Sequence, residues 1–207
     1  MSVLESSVAD RPHPAPGGEV SHLPSANLTF DDEASVASAL AELLPRVRTW
    51  LFRLLGPTAS LDDAVQDCLI ELARALPRFR GDSALATYAH RIALRVGYRH
   101  IRRRSREREV PLSLVPPIEG GIDPETQVAQ REILARLYRC LDRLSQKRRT
   151  AFVLCAIEGL SPGQAAEVLG VASTAVRSRL KHARREVDRM LDDDPFLMEL
   201  RLEEAHR

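Results

Sequence analysis

Basic side chains near the C-terminal end of the chain recur at a spacing that recognition chemistry can use. Arg177, Lys181, Arg184 and Arg185 stand three or four residues apart, with Ser178 and Arg179 among them. Cations on one side of a helix suit phosphate oxygens, and Arg and Lys also donate to base edges in a major groove. A second set comprises Tyr88, Arg91, Arg95, Tyr98, Arg99 and Arg102, within a stretch where eight arginines fall between Arg91 and Arg108. At about 100° per residue these six side chains occupy roughly one third of a helix circumference. Arginines interleaved with tyrosines offer cations for phosphates and flat rings for unpaired bases. The competing reading is a solvated basic face on a core helix. Against it, only Glu107 and Glu109 stand nearby in sequence to relieve the self-repulsion.

Both sets need helices to hold them. Residues 160–191, LSPGQAAEVLGVASTAVRSRLKHARREVDRML, read as a helix-turn-helix. Ser161 caps the first helix, Pro162 fits its first position, and Gly170 tolerates the left-handed conformation that stops it. Ser173 or Thr174 then caps the second helix, on which Val176, Leu180, Ala183, Val187 and Met190 share one apolar face. An ordinary amphipathic hairpin with a solvated basic face fits the same spacing. The Arg/Tyr helix begins near Ala84, with Leu85, Ala89, Ile92 and Val96 as its buried stripe.

Earlier in the chain, Leu40, Leu43, Leu44, Val47, Leu51, Leu54 and Leu55 recur at helical spacing up to Gly56-Pro57, with Pro45 starting a new helix or kinking the old one. Ser60 caps a helix with Asp62, Asp63 and Asp67 near its start, where carboxylates suit the dipole. Its stripe is Val65, Cys68, Leu69, Leu72 and Leu76. Pro77 ends it before the turn RFRGDS at residues 78–83. After the Arg/Tyr helix, Pro111, Pro116, Pro117, Gly120 and Gly121 punctuate a linker. Asp123-Pro124 then opens a helix burying Ile133, Leu134, Leu137, Leu141 and Leu144, and Ser145 opens another with Phe152, Val153, Ala156 and Ile157. No segment alternates with period two, so the expected fold is all-α: two small helical domains joined by a flexible linker, the second containing the helix-turn-helix. The expected boundaries are a disordered arm at 1–31, a first domain at 32–108, a linker at 109–123, a second domain at 124–191 and an acidic tail at 192–207. The tail is a frayed solubilising end, or folds back on a basic face and weakens DNA binding.

Composition narrows the function. In 207 residues, 44% hydrophobic, no apolar run approaches a membrane span, and the proline-rich start lacks the apolar core of a secretory signal, so a cytoplasmic protein is expected. The net charge of +1 hides strong segregation of sign along the chain. The three cysteines, Cys68, Cys140 and Cys155, are far apart within apolar periodic segments, as reduced core residues are. Neither they nor the histidines have metal-ligand spacing. There is no glycine-rich phosphate loop and no nucleophile with its base, so neither catalysis nor a cofactor is expected.

Two basic helical units with a helix-turn-helix last resemble the extracytoplasmic-function sigma factors of bacterial RNA polymerase. Residues 61–104, LDDAVQDCLIELARALPRFRGDSALATYAHRIALRVGYRHIRRR, are similar to the family's polymerase-binding and promoter-melting domain. Residues 141–187, LDRLSQKRRTAFVLCAIEGLSPGQAAEVLGVASTAVRSRLKHARREV, are similar to its upstream-element-binding domain. The resemblance implies an initiation subunit without chemistry of its own, whose partners are core RNA polymerase and promoter DNA. It leaves room for an anti-sigma factor, which holds many relatives inactive. Asp62, Asp63, Gln66 and Asp67 would dock on the polymerase clamp helices. Phe79, Arg80, Gly81, Asp82 and Ser83, with Tyr88, Arg91, Arg95, Arg99 and Arg102 behind them, would engage the minus-ten element and trap an extruded base. Ser173, Thr174, Arg177, Ser178, Lys181 and Arg184 would serve the minus-thirty-five element. Among these Arg177, Ser178 and Lys181 reach base edges, while Arg179, Arg184 and Arg185 meet phosphates or acidic surfaces. The chain departs from the family pattern at Tyr88 (usually Trp), Arg95 (usually Asn) and His182 (usually basic), which bears on promoter preference. A polymerase-independent helix-turn-helix regulator is the alternative; it leaves the Asp62–Asp67 helix and the Arg/Tyr helix without a shared purpose.

Overall fold

The computed structural model describes Phe30 and residues 32–106 and 124–194. The expected linker at 109–123, the Asp123 cap, and all of the expected tail except Asp192, Asp193 and Asp194 lie outside the described residues. So does the expected arm, save for Phe30. Every regular element among the described residues is helical: α1 (Glu33–Leu55), α2 (Leu61–Ala75), a 3₁₀ turn (Leu76–Arg78), α3 (Leu85–Arg106), α4 (Pro124–Arg143), α5 (Gln146–Phe152), a π-helical turn (Val153–Ile157), α6 (Pro162–Leu169) and α7 (Ser173–Asp192).

Helices α1, α2 and α3 pack around Leu43, Val47, Leu51, Cys68, Leu72, Ala89, Ile92 and Val96, the stripes that periodicity marked. Three local expectations need correction. Pro45 does not start a new helix, because α1 runs unbroken from Glu33 to Leu55 with the proline inside it; burial of residues on both sides of the proline outweighs the one backbone bond it lacks. Leu44 is 41% exposed, one position off the buried stripe. Phe30, expected in the disordered arm, is buried against Phe79 with ring centroids 6.2 Å apart.

The second body is α4 to α7 around Leu141, Leu144, Ala151, Leu154, Ala165, Val176, Leu180 and Ala183. In α6, Ser161 accepts from the Gln164 amide while the Gln164 side chain accepts from the Ser161 amide, a complete capping box. Gly170 closes α6 in the left-handed conformation at φ 63°. The following helix is capped differently from the expectation: its N-cap is Ala172, without a side-chain cap bond, and Ser173 is already the first helical residue. Ile133, expected on the buried side of α4, is 39% exposed, and Ala156 is exposed because the π-helical turn shifts the register past Val153.

The two bodies do not stand apart. Leu54, Leu94 and Tyr98 of the first share a continuous core with the second. Each body also caps a helix end of the other. A helix leaves its last four carbonyls without intrahelical partners, and at the end of α1 all four are met. From the second body Tyr138 donates to Phe52 O and Arg53 O at 3.3 and 2.9 Å and Arg149 to Leu54 O at 2.7 Å, while Leu55 O receives Arg104 of the first body's own α3 at 3.3 Å. In return Arg91 of α3 donates to Glu167 O and Val168 O, at 2.7 and 3.1 Å, at the end of α6. Gly56 permits the closest approach: its φ is 78°, and a Cβ there would lie 2.6 Å from the Tyr138 ring.

Candidate nucleic-acid interface

Helix α7 separates its two kinds of residue cleanly. Val176, Leu180, Ala183 and Val187 are buried against the rest of the second body. Thr174, Arg177, Ser178, Lys181, Arg184 and Arg185 are exposed, while Ser173 and Arg179 are half-buried. An apolar stripe fixes the helix and leaves the opposite side to solvent.

The second expected set is only partly brought together. The turn after the 3₁₀ helix exposes Arg80, Gly81 and Asp82, with Ser83 half-buried. Phe79 lies between two aromatics, its centroid 6.2 Å from Phe30 and 5.0 Å from Tyr88. Arg102 is exposed. Arg95 and Arg99 reach back to the α2 carboxylate of Glu71 at 2.8 and 2.6 Å. Burial pushes the Glu71 carboxyl up, but hydrogen bonds from Arg99 and Arg95 more than offset this and hold it below the ordinary range. Self-repulsion of the arginines is therefore relieved by acids distant in sequence, not by Glu107 and Glu109 alone.

Two members of the Arg/Tyr face point elsewhere. Tyr98 is 5% exposed, and its hydroxyl meets Thr150 Oγ1 at 2.6 Å and Gln146 O at 3.1 Å. It belongs to the seam between the bodies, not to an open stacking platform. Arg91 is spent on α6, as described. Helical phase placed both correctly on α3 but could not reveal a second body packed over that side.

On α2, Asp62, Asp63 and Gln66 are exposed, with Asp62 paired to Arg48 at 2.7 Å. Asp67 is half-exposed and pairs with α3 instead, 2.9 Å from His100 Nε2 and 3.9 Å from Arg99. Sequence reasoning missed the residues that join the two bodies, Tyr138, Asp142 and Arg149. Arg149 is 2% exposed and pairs with Asp142, which also receives Arg104 at 2.8 Å. Within QKRRT no local signal separates the buried Arg149 from its neighbours. Among the described residues no group of three or more His, Cys, Asp or Glu is placed to hold a metal ion, and no helix is long and apolar enough to cross a membrane.

Residues 40–107 match the family model for Sigma-70 region 2, and residues 134–187 match that for Sigma-70, region 4. The chain is similar to the ECF RNA polymerase sigma factor SigM of Mycobacterium tuberculosis, 33% identical over 68% of this chain and 69% of the relative. It is 32% identical to the RNA polymerase sigma-H factor of Pseudomonas aeruginosa, over 72% of this chain and 81% of that one. The solved structure of CnrH in complex with the cytosolic domain of CnrY superposes with a TM-score of 0.58 at 26% identity, covering 82% of this chain and 96% of that one. The sigma factor RpoE of Bartonella quintana, solved with the anti-sigma factor NepR, gives 0.55 at 25% identity, covering 76% and 97%.

Proposed function

From the premise that the chain belongs to the extracytoplasmic-function sigma factors, we propose a division of labour in which each exposed surface described above meets one part of a polymerase–promoter complex. The protein directs core RNA polymerase to specific promoters and assists their melting. It works in the cytoplasm and carries out no bond chemistry; polymerase supplies the catalysis. Asp62, Asp63 and Gln66 meet basic surface on the polymerase, while Asp67 orders α2 against α3. The Phe79–Ser83 turn, Tyr88 and Arg102 take the minus-ten strand, with Arg95 and Arg99 released from Glu71 as phosphates replace its carboxylate. Arg177, Ser178 and Lys181 read base edges of the minus-thirty-five element, and Ser173, Thr174 and Arg184 hold its backbone.

The observation that carries this reading is the side of α7 opposite its buried stripe: Arg177, Lys181 and Arg184 are exposed and have no ion pair among the described residues. Cations left unpaired beside a well-formed helix-turn-helix are available to DNA. The experiment is transcription reconstituted from core polymerase, this protein and a library of promoter fragments. Specific transcripts that need both proteins are the expected result. Tight duplex binding without polymerase, and no transcripts with it, would favour the stand-alone regulator.

Promoter engagement also requires the seam to part. Elements about 25 base pairs apart are separated by about 85 Å at about 3.4 Å per pair. Helix α3 packs directly on α6, whose neighbour α7 is about 30 Å long at about 1.5 Å per residue. The closed arrangement is too short to grip both elements at once.

A further inference from the structure

Between the two bodies the seam leaves a half-open cavity of about 420 Å³, a size typical of small-molecule sites, which favour such boundaries. Helix α1 lines it with Arg46, Trp50 and Arg53, α3 with His90, and the second body with Glu158 and Gln164. Two of these groups form a buried polar corner. The His90 and Glu158 side chains are 5% and 3% exposed, with Nε2 lying 3.5 Å from Oε2. Neither His90 Nε2 nor Glu158 Oε1 has a hydrogen-bond partner. Buried polar groups are satisfied in the great majority of cases, so the unpartnered Glu158 oxygen beside a cavity calls for a donor from outside the chain.

The wall beside that corner is flat. The His90 imidazole stacks on the Trp50 indole with centroids 4.3 Å apart and planes 5° apart. Arg46 and Arg53 are only half-buried, and neither guanidinium has an ion pair among the described residues. A donor is thus wanted at the deep end, and at the shallower one two cations against the single exposed carboxylate of Glu167 leave a net positive charge that suits an anion.

We propose that this cavity binds a small amphoteric aromatic molecule. Its protonated amine donates to Glu158, its ring lies along the Trp50–His90 wall, and its carboxylate meets Arg46 and Arg53. Because both bodies line the cavity, the occupant binds the closed arrangement and not the parted one, and so opposes promoter engagement. That regulatory consequence rests on the promoter reading above, whereas the site itself does not.

Trp50 is the single tryptophan of the chain, so its fluorescence reports on the cavity directly. The experiment titrates 4-(aminomethyl)benzoate into the full-length protein, with benzylamine and benzoate as its two halves. Saturable quenching by the whole molecule at low-millimolar concentration or below is expected, with each half binding more weakly. Glu158→Gln should weaken the whole molecule at least tenfold with the far-ultraviolet dichroism unchanged. Arg46→Ala, on a half-buried side chain, should weaken the whole molecule but leave benzylamine unaffected. No saturable quenching, or equal affinity in both variants, overturns the proposal. Reconstituted transcription without added ligand is read separately, so failure of the site is distinguishable from failure of the sigma reading.

Discussion

A single guanidinium shows how far side-chain chemistry depends on its surroundings. Arg149 stands one residue from Arg148, yet the first is buried on Leu54 O and Asp142 while the second pairs with Glu186 at the surface of α7. Replacing Arg149 by Ala leaves the Leu54 carbonyl without its donor and Asp142, which is exposed and keeps Arg104, without one of two partners, and should cost about 2 kcal/mol in denaturant unfolding. Arg177→Ala and Lys181→Ala are expected to leave stability unchanged but to relax minus-thirty-five preference, by about 1 to 3 kcal/mol per base contact, in competition binding by holoenzyme. Arg184→Ala should weaken all sequences alike and lower the salt slope by about 0.9. The exposed cations of α7 were legible in the sequence because burial of their stripe dictates their phase. The fates of Arg91, Arg95 and Arg99 were not, since their partners lie at Glu167, Val168 and Glu71, in other helices.

Helices α6 and α7 followed the sequence closely at α6 and less so at the junction. Ser161 and Gln164 can cap each other whatever the rest of the chain does, which is why that start was readable. Ser161→Ala should cost about 1 kcal/mol in thermal or denaturant unfolding. The start of α7 was misjudged by one or two residues because the tight turn after Gly170 already sets the extended conformation at Ala172, and a hydroxyl cap is then dispensable. At Pro45 a new helix was one of two expectations and does not start there: local propensity marks a break, but the α1 residues before and after it bury against the same two helices. The π-helical turn leaves no mark in hydrophobic periodicity at all, because a five-residue wide turn is shorter than the window in which a period is measured.

For the molecule as a whole, two helical bodies could be read from the sequence, but not their mutual grip. The grip titrates at alkaline pH. Burial pushes the Tyr138 hydroxyl from 10.0 up to about 12, and raises that of Tyr98 as well. Groups whose folded value is raised stabilise the fold fully below their unfolded value and lose that contribution as pH climbs through the folded one. The seam should therefore hold up to about pH 10 and loosen between about pH 10 and 12, which energy transfer between labels on α2 and α7 would detect. The same labels should separate on addition of core polymerase and promoter DNA at neutral pH. Unchanged transfer in a transcribing complex would show that the closed arrangement is itself the active one.

The seam is fastened largely by side chains of one body gripping main-chain oxygens of the other. Those oxygens are present whatever residue occupies the acceptor position. Substitutions of the side chains at acceptor positions such as Arg53 and Glu167 should therefore leave the seam fastened, while loss of Tyr138, Arg149 or Arg91 removes a donor outright. Inheritance at this joint is one-sided: the halves of the protein are free to diverge along their acceptor helices and still recognise each other. A donor-bearing half transplanted onto a distant relative needs only a helix end of the right shape to find its seat.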